Sequence, residues 1–141
     1  MIDIKLLGPN DMELLSNVAP EVFDDPIDFT TATDFLHDLR HRLMVVIDEG
    51  LVVGFISAVI TLHPDKSKPE LWINEIGIAP THRGSGIGKM ILQRMLESAQ
   101  QAGCSEAWVL TEHANEAAMA LYRSLGGKEE VPDPAMFTFK L

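Results

Sequence analysis

The chain has 141 residues, 46% of them hydrophobic and 23% charged, the size of one globular domain with enough apolar material to bury a core. It is too short for a dinucleotide-binding domain plus a separate substrate domain, too hydrophobic for disorder, and carries no apolar run near the ~18–20 residues a membrane helix needs. Eleven Lys and Arg against twenty-one Asp and Glu give a net charge of −10, and the scattered bases argue against nucleic acid or an anionic membrane as partner.

The single cysteine, Cys104, allows no internal disulfide and suits a reducing compartment. The first residues lack the basic and apolar regions of a secretory signal. The expectation is one cytoplasmic domain over residues 1–141. Its acids concentrate between Asp3 and Asp38, where Lys5 is the only Lys or Arg. Such a surface attracts cations, and it also serves plain solubility.

In chain order, residues 3–7 alternate as a short strand. Pro9-Asn10-Asp11 caps a helix running to about Val18. Residues 19–30 read as a loop, and Thr31 or Thr33 caps a second helix with Phe35, Leu36 and Leu39 on its apolar face. Residues 43–48 and 51–62 are β-rich runs joined at Glu49-Gly50, a hairpin signal. Residues 63–69 form a loop, and residues 71–78 a further strand ended by Ala79-Pro80.

Beyond a glycine-rich turn, Ile87, Met90, Ile91, Met95, Ala99 and Ala102 recur at helical spacing until Gly103 stops the helix. Residues 107–111 read as a buried strand, residues 115–125 as a helix ended by Gly126-Gly127, and residues 136–141 as a last strand. Met90, Met95 and Met119 read as core. The order β-α-α-β-β-β-α-β-α-β describes an α/β fold with a mixed central sheet flanked by helices.

The turn Arg83-Gly84-Ser85-Gly86-Ile87-Gly88 carries the most chemistry. It links a strand to a long helix, whose first N–H groups and dipole favour an anion. Its glycines permit positive φ and close approach, and Arg83 adds a charged fork. Neither common nucleotide motif fits. A P-loop ending at Gly88-Lys89 would need glycine where Arg83 stands, and a dinucleotide fingerprint begun at Gly84 would need glycine at Lys89.

The turn instead resembles the (Arg/Gln)-x-x-Gly-x-(Gly/Ala) pyrophosphate loop of the GNAT acyl-CoA-dependent N-acetyltransferases. The preceding Ile76-Gly77-Ile78 resembles that family's central strand, whose backbone pairs with the pantetheine arm. Asn115 and Tyr122 match an Asn and a Tyr on its following helix. Within the superfamily, the acidic loop at Asp24-Asp25, the Glu-Leu-Trp-Ile-Asn-Glu strand and Ala-Leu-Tyr-Arg-Ser-Leu-Gly-Gly are most similar to type I aminoglycoside 3-N-acetyltransferases.

The resemblance implies a GNAT-like fold, acetyl-CoA held by Ile76, Gly77, Ile78, residues Arg83 to Gly88 (Arg83, Gly84, Ser85, Gly86, Ile87, Gly88) and Asn115, and no metal. It casts Tyr122 as proton donor to sulfur. The acceptor becomes a small cationic amine, with aminoglycosides leading and polyamines, amino acids or protein amines as alternatives. A homodimer is also implied. A non-catalytic acyl-CoA-binding module is the reading of a different class.

Glu75 interrupts an apolar strand, where a carboxylate is costly unless paired or functional, and is the candidate base, with burial expected to raise its pKa. Glu112 is the alternative base or a substrate contact, as Asp24 and Asp25 are. Asn115 fits a helix cap as well as a pantetheine contact. His37 and His41, at i and i+4, fit either a metal pair or a polar helix face. Cys104 has no motif around it.

Overall fold

The computed structural model describes residues 1–130 and 134–141 and falls into two compact units, Met1–Leu110 and Thr111–Leu141. The first is built on a five-stranded sheet in the order β1-β2-β3-β4-β5, with β1 Ile2–Leu6, β2 His41–Asp48, β3 Leu51–Thr61, β4 Glu70–Ile78 and β5 Ala107–Val109. The first four strands are antiparallel neighbours and β5 runs parallel to β4. The mixed sheet expected from the element order is thus present. The hairpin turns at Glu49 and Gly50, both with positive φ, the backbone that matches strand twist in a tight turn.

Two α-helices belong to this unit, α1 Phe29–His37 and α2 Ile87–Gln101. α2 buries Ile87, Ile91, Leu92, Met95 and Ala99 along one face, and Val45, Val46, Val52, Ile56 and Leu71 complete the core. Met90 does not join it and is 46% exposed, because it lies about 100° round the helix from Ile91, away from that face. Met119 is only half-buried. At its C-terminus α2 stops as expected: Gly103 takes φ 86°, and the N–H of Cys104 donates to the Ala99 carbonyl.

Several local expectations change. Pro9–Ser16 forms a 3₁₀ helix and not an α-helix; Asp11 accepts from the Gly8 N–H and pairs with Lys5. Asp28, and neither Thr31 nor Thr33, caps α1 by accepting from the Thr31 N–H at 3.0 Å. Leu39 falls beyond the helix and is 83% exposed. The helix also ends between His37 and His41, so the two do not share a helical face; His41 opens β2 and lies against Phe35, ring centroids 4.8 Å apart.

β5 is shorter than expected and only partly buried, its Trp108 stacking on Trp72 across the parallel pair at 5.3 Å. Residues 136–141 are in no strand, and Phe137 is 82% exposed. Alternation marks a strand only where a neighbouring edge takes up its hydrogen bonds, and among the described residues none does. No described helix is long and apolar enough to cross a membrane.

Just past α1, Asp38 pairs with Arg40 at 2.8 Å, and the guanidinium draws its carboxyl pKa down to about 2. A carboxyl depressed on folding stabilises the native state above its unfolded pKa near 3.8 and loses that contribution as pH falls toward 2. Melting temperatures between pH 5 and 2 should therefore fall less steeply in Asp38→Asn than in the parent. Parallel curves would show that the pair contributes nothing.

Candidate functional site

Ala79 follows β4 in extended backbone, and its N–H donates to the Val53 carbonyl at 2.8 Å, toward β3. Successive polar groups of an extended chain point to opposite edges, so those of Ile78 and Ile76 face away from β3. On that side β4 pairs with β5 only at Leu71, Trp72 and Ile73. Among the described residues, 74–78 consequently have no strand partner on that edge.

The open edge leads into the glycine turn. Arg83 Nε donates to the Ile78 carbonyl at 3.0 Å, which ties the side chain to the strand end and leaves the terminal nitrogens of its fork for an anion. Ser85 Oγ donates to the His82 carbonyl at 2.6 Å. His82 in turn meets Asp48 through Nε2 and Thr81 through Nδ1, both at 2.8 Å. Asp48 is held below its ordinary carboxyl pKa, chiefly by the His82 hydrogen bond.

Gly84 and Gly86 take φ 75° and 82°, and a Cβ at either would meet nothing within 4 Å. They supply left-handed backbone beside open space. Gly86 is the N-cap of α2 and has no side chain to cap the first turn, whose N–H groups are available to a ligand. An anionic group with an extended, amide-bearing arm fits this combination. Gly77 has another reason to be glycine, since its Cβ would collide with the Val22 carbonyl oxygen.

A second site element lies on one face of the sheet. Ser57 pairs with Glu75 and Ala58 with Ile73, leaving Asn74 as an extra residue in β4. Such a bulge breaks the alternation of side chains. Asn74 and Glu75 are consecutive exposed residues, and both line a cavity of about 580 Å³. The burial expected of Glu75 is therefore absent. α1 and the preceding loop contribute Phe23, Ile27, Asp28 and Phe35 to the same cavity. Asp24 and Asp25 are exposed and do not line it, whereas Asp28 does.

The unit Thr111–Leu141 contains α3 Glu116–Ser124. Asn115 caps it, its side-chain oxygen accepting from the Ala118 N–H at 3.1 Å. Tyr122 is half-buried, and that burial raises its phenol pKa above the ordinary value of 10; the group keeps its proton at neutral pH and can donate it. α3 ends on Gly126, with φ 86°, and the Gly127 N–H donates to the Tyr122 carbonyl at 2.9 Å. Glu112 is exposed, and His113 pairs with Glu129.

Elsewhere Cys104 is a half-buried free thiol whose pKa burial pushes up, opposite to the shift a reactive thiolate needs. No group of three or more His, Cys, Asp or Glu is arranged to hold a metal among the described residues. Sequence reasoning missed Asp28, Phe23, Phe35, Phe55, Ser57 and Asn74. The apolar periodicity of α1 marked Phe35 as inward-facing, without revealing that it faces a cavity.

Residues 11–126 match the acetyltransferase (GNAT) family. Among curated proteins, N-acetyltransferase 8B of Homo sapiens is 33% identical over 95 residues, 67% of this chain and 42% of that protein; the chain spans less than half the length of this relative. Among solved structures, an aminoglycoside acetyltransferase from an uncultured soil metagenomic sample, in complex with trehalose, superposes with a TM-score of 0.85 at 20% identity, covering 99% of this chain and 97% of that one. The aminoglycoside N-acetyltransferase AAC(6')-Iy in complex with CoA gives 0.75 at 20% identity, covering 99% and 95%. At such identities the likeness establishes the fold.

Proposed function

The chain belongs to the acetyltransferase (GNAT) family, and from that premise we propose that it transfers the acetyl group of acetyl-CoA to a primary amine of a small cationic substrate. The observation that carries the reading is the unpaired edge of β4 running into an uncapped helix start, with two left-handed glycines and Arg83 between them. The backbone of Ile76 and Ile78 pairs with the pantetheine arm, while Arg83 and residues 84–88 receive the pyrophosphate. Asn115 keeps its amide nitrogen for a further contact while its oxygen caps α3.

Glu75 takes a proton from the acceptor ammonium, directly or through water, which frees the nitrogen lone pair to attack the thioester carbonyl. As the N–C bond forms and the C–S bond breaks, the Tyr122 phenol supplies the proton that the departing sulfur takes. Glu112, Asp24 and Asp25 add negative charge that attracts the cation. The reading treats residues 1–141 as one N-acetyltransferase domain, cytoplasmic as the single cysteine suggests and homodimeric as the family resemblance implies.

Aminoglycosides are the acceptor class drawn from the sequence resemblance, supported by the names of the solved structures that share the fold. The sequence is most similar to 3-N enzymes, whereas one neighbour is named for the 6′ position, so product analysis decides the position. The test is coenzyme A release with aminoglycosides, polyamines, amino acids and peptides. Acetyl-CoA binding without turnover of any amine would favour the acyl-CoA-binding module instead.

The base can be tested separately. Glu75→Gln is nearly isosteric and should lower kcat at pH 7 by ~10²-fold, the lower end of general-base effects. Much of the loss should return above pH 9, where more acceptor is already free amine. A pH-independent loss would assign Glu75 to binding.

A further inference from the structure

Resting on the acetyltransferase reading, we propose that His82, anchored by Asp48, is a positioning residue for the donor: it fixes the glycine turn in the form that receives the pyrophosphate of acetyl-CoA. The turn has little of its own to hold it. Among the described residues, the N–H groups of Gly84 and Gly86 donate to no backbone carbonyl, and both glycines take left-handed φ beside open space. Glycine backbone has the most conformational freedom to lose on ordering, so such a turn depends on anchors outside itself.

Those anchors converge on His82. Ser85 Oγ donates to its carbonyl at 2.6 Å, and its own N–H donates to the Ala79 carbonyl at 2.9 Å. The ring meets Asp48 through Nε2 and Thr81 through Nδ1, both at 2.8 Å. Asp48 as a carboxylate only accepts, so Nε2 is the donor there, and the Thr81 hydroxyl serves Nδ1 in either role. An imidazole bonded at both nitrogens keeps one orientation. Asp48 closes β2 and is held in register against Ile2 and Leu51. The geometry of the sheet thus passes to the turn through a contact between residues 34 apart in sequence. Both side chains reach solvent, at 22% and 30% exposure, so replacing them leaves the core packing in place.

Calorimetric titration of acetyl-CoA and of S-acetylpantetheine, which lacks the pyrophosphate, tests the assignment. His82→Ala and Asp48→Ala should each raise Kd for acetyl-CoA about tenfold, the effect of leaving the receptive form populated about one part in ten. The double variant should fall within about twofold of either, because both changes break one contact. His82→Gln, whose amide nitrogen stands in for Nε2, should recover most of the loss. Acetylpantetheine, held along β4, should bind parent and variants alike. Unchanged acetyl-CoA affinity in His82→Ala, additive losses in the double variant, or no recovery in His82→Gln would overturn the proposal. Equal weakening of both donors would also overturn it, by reducing the pair to a support of the fold. The broader reading fails on a different result, the absence of acetyl-CoA binding to the parent, which removes this inference with it.

Discussion

Gly86→Asp is expected to weaken acetyl-CoA binding by ~10²-fold or more while leaving the protein folded. Asp is among the residues that best tolerate the left-handed backbone found at this position, and an acid is a favoured N-cap that complements the helix dipole. The open space around Gly86 accepts the new side chain. Its carboxylate would take up N–H groups that the pyrophosphate needs and repel the phosphates as well. Losing one or two charge-assisted hydrogen bonds, at ~1.5–3 kcal/mol each, corresponds to roughly tenfold to ten-thousandfold in affinity. Gly86→Ala separates the contributions, because it has the backbone strain without the charge and should cost far less affinity. Calorimetry on both variants makes the comparison, and unchanged binding in Gly86→Asp would remove the glycine turn from the donor site.

Tyr122→Phe carries the other large effect. The ring and its packing stay, and only the phenolic oxygen and proton go. Burial keeps that phenol protonated well past neutral pH, the state a general acid must start from. Donor affinity should be unchanged while kcat falls by ~10²–10⁴-fold, the usual scale for loss of a positioned proton donor. The measurement requires chemistry to limit turnover, shown by the absence of a burst of coenzyme A release. Equal kcat under those conditions would make Tyr122 a packing residue of α3.

Much of the fold was legible because its determinants are local. Gly103 stops α2 through its own φ, Glu49-Gly50 turns the hairpin, and Asn115 caps α3. Features that depend on two distant segments were not. The bulge at Asn74 exists only in register against Ser57 and Ala58, so sequence alternation alone gave no reason to place Asn74 beside Glu75 in one cavity. Asp28 competes with Thr31 and Thr33 as cap of α1, and the choice lies in loop geometry. The alternation in residues 136–141 had the pattern of a strand, yet pattern without a partner makes none. The glycine turn offered a motif to read; the cavity beside Asn74 and Glu75 offered none.

The β4 edge has a consequence for how specificity can change. In the proposed reading, its recognition of an extended arm uses main-chain groups at Ile76 and Ile78, which every residue except proline possesses in full. Drift at those side chains leaves the hydrogen bonds in place, and the strand is constrained chiefly at Gly77, where a methyl group would collide with Val22. The face of the same strand, at Asn74 and Glu75, looks into the cavity beside α1. On that reading, donor and acceptor are read by different parts of one peptide segment, one by its amides and the other by its substituents. Substitutions around the cavity would then retarget the enzyme to a new amine without disturbing its hold on the acyl carrier, which would make acceptor choice the evolvable half of the reaction.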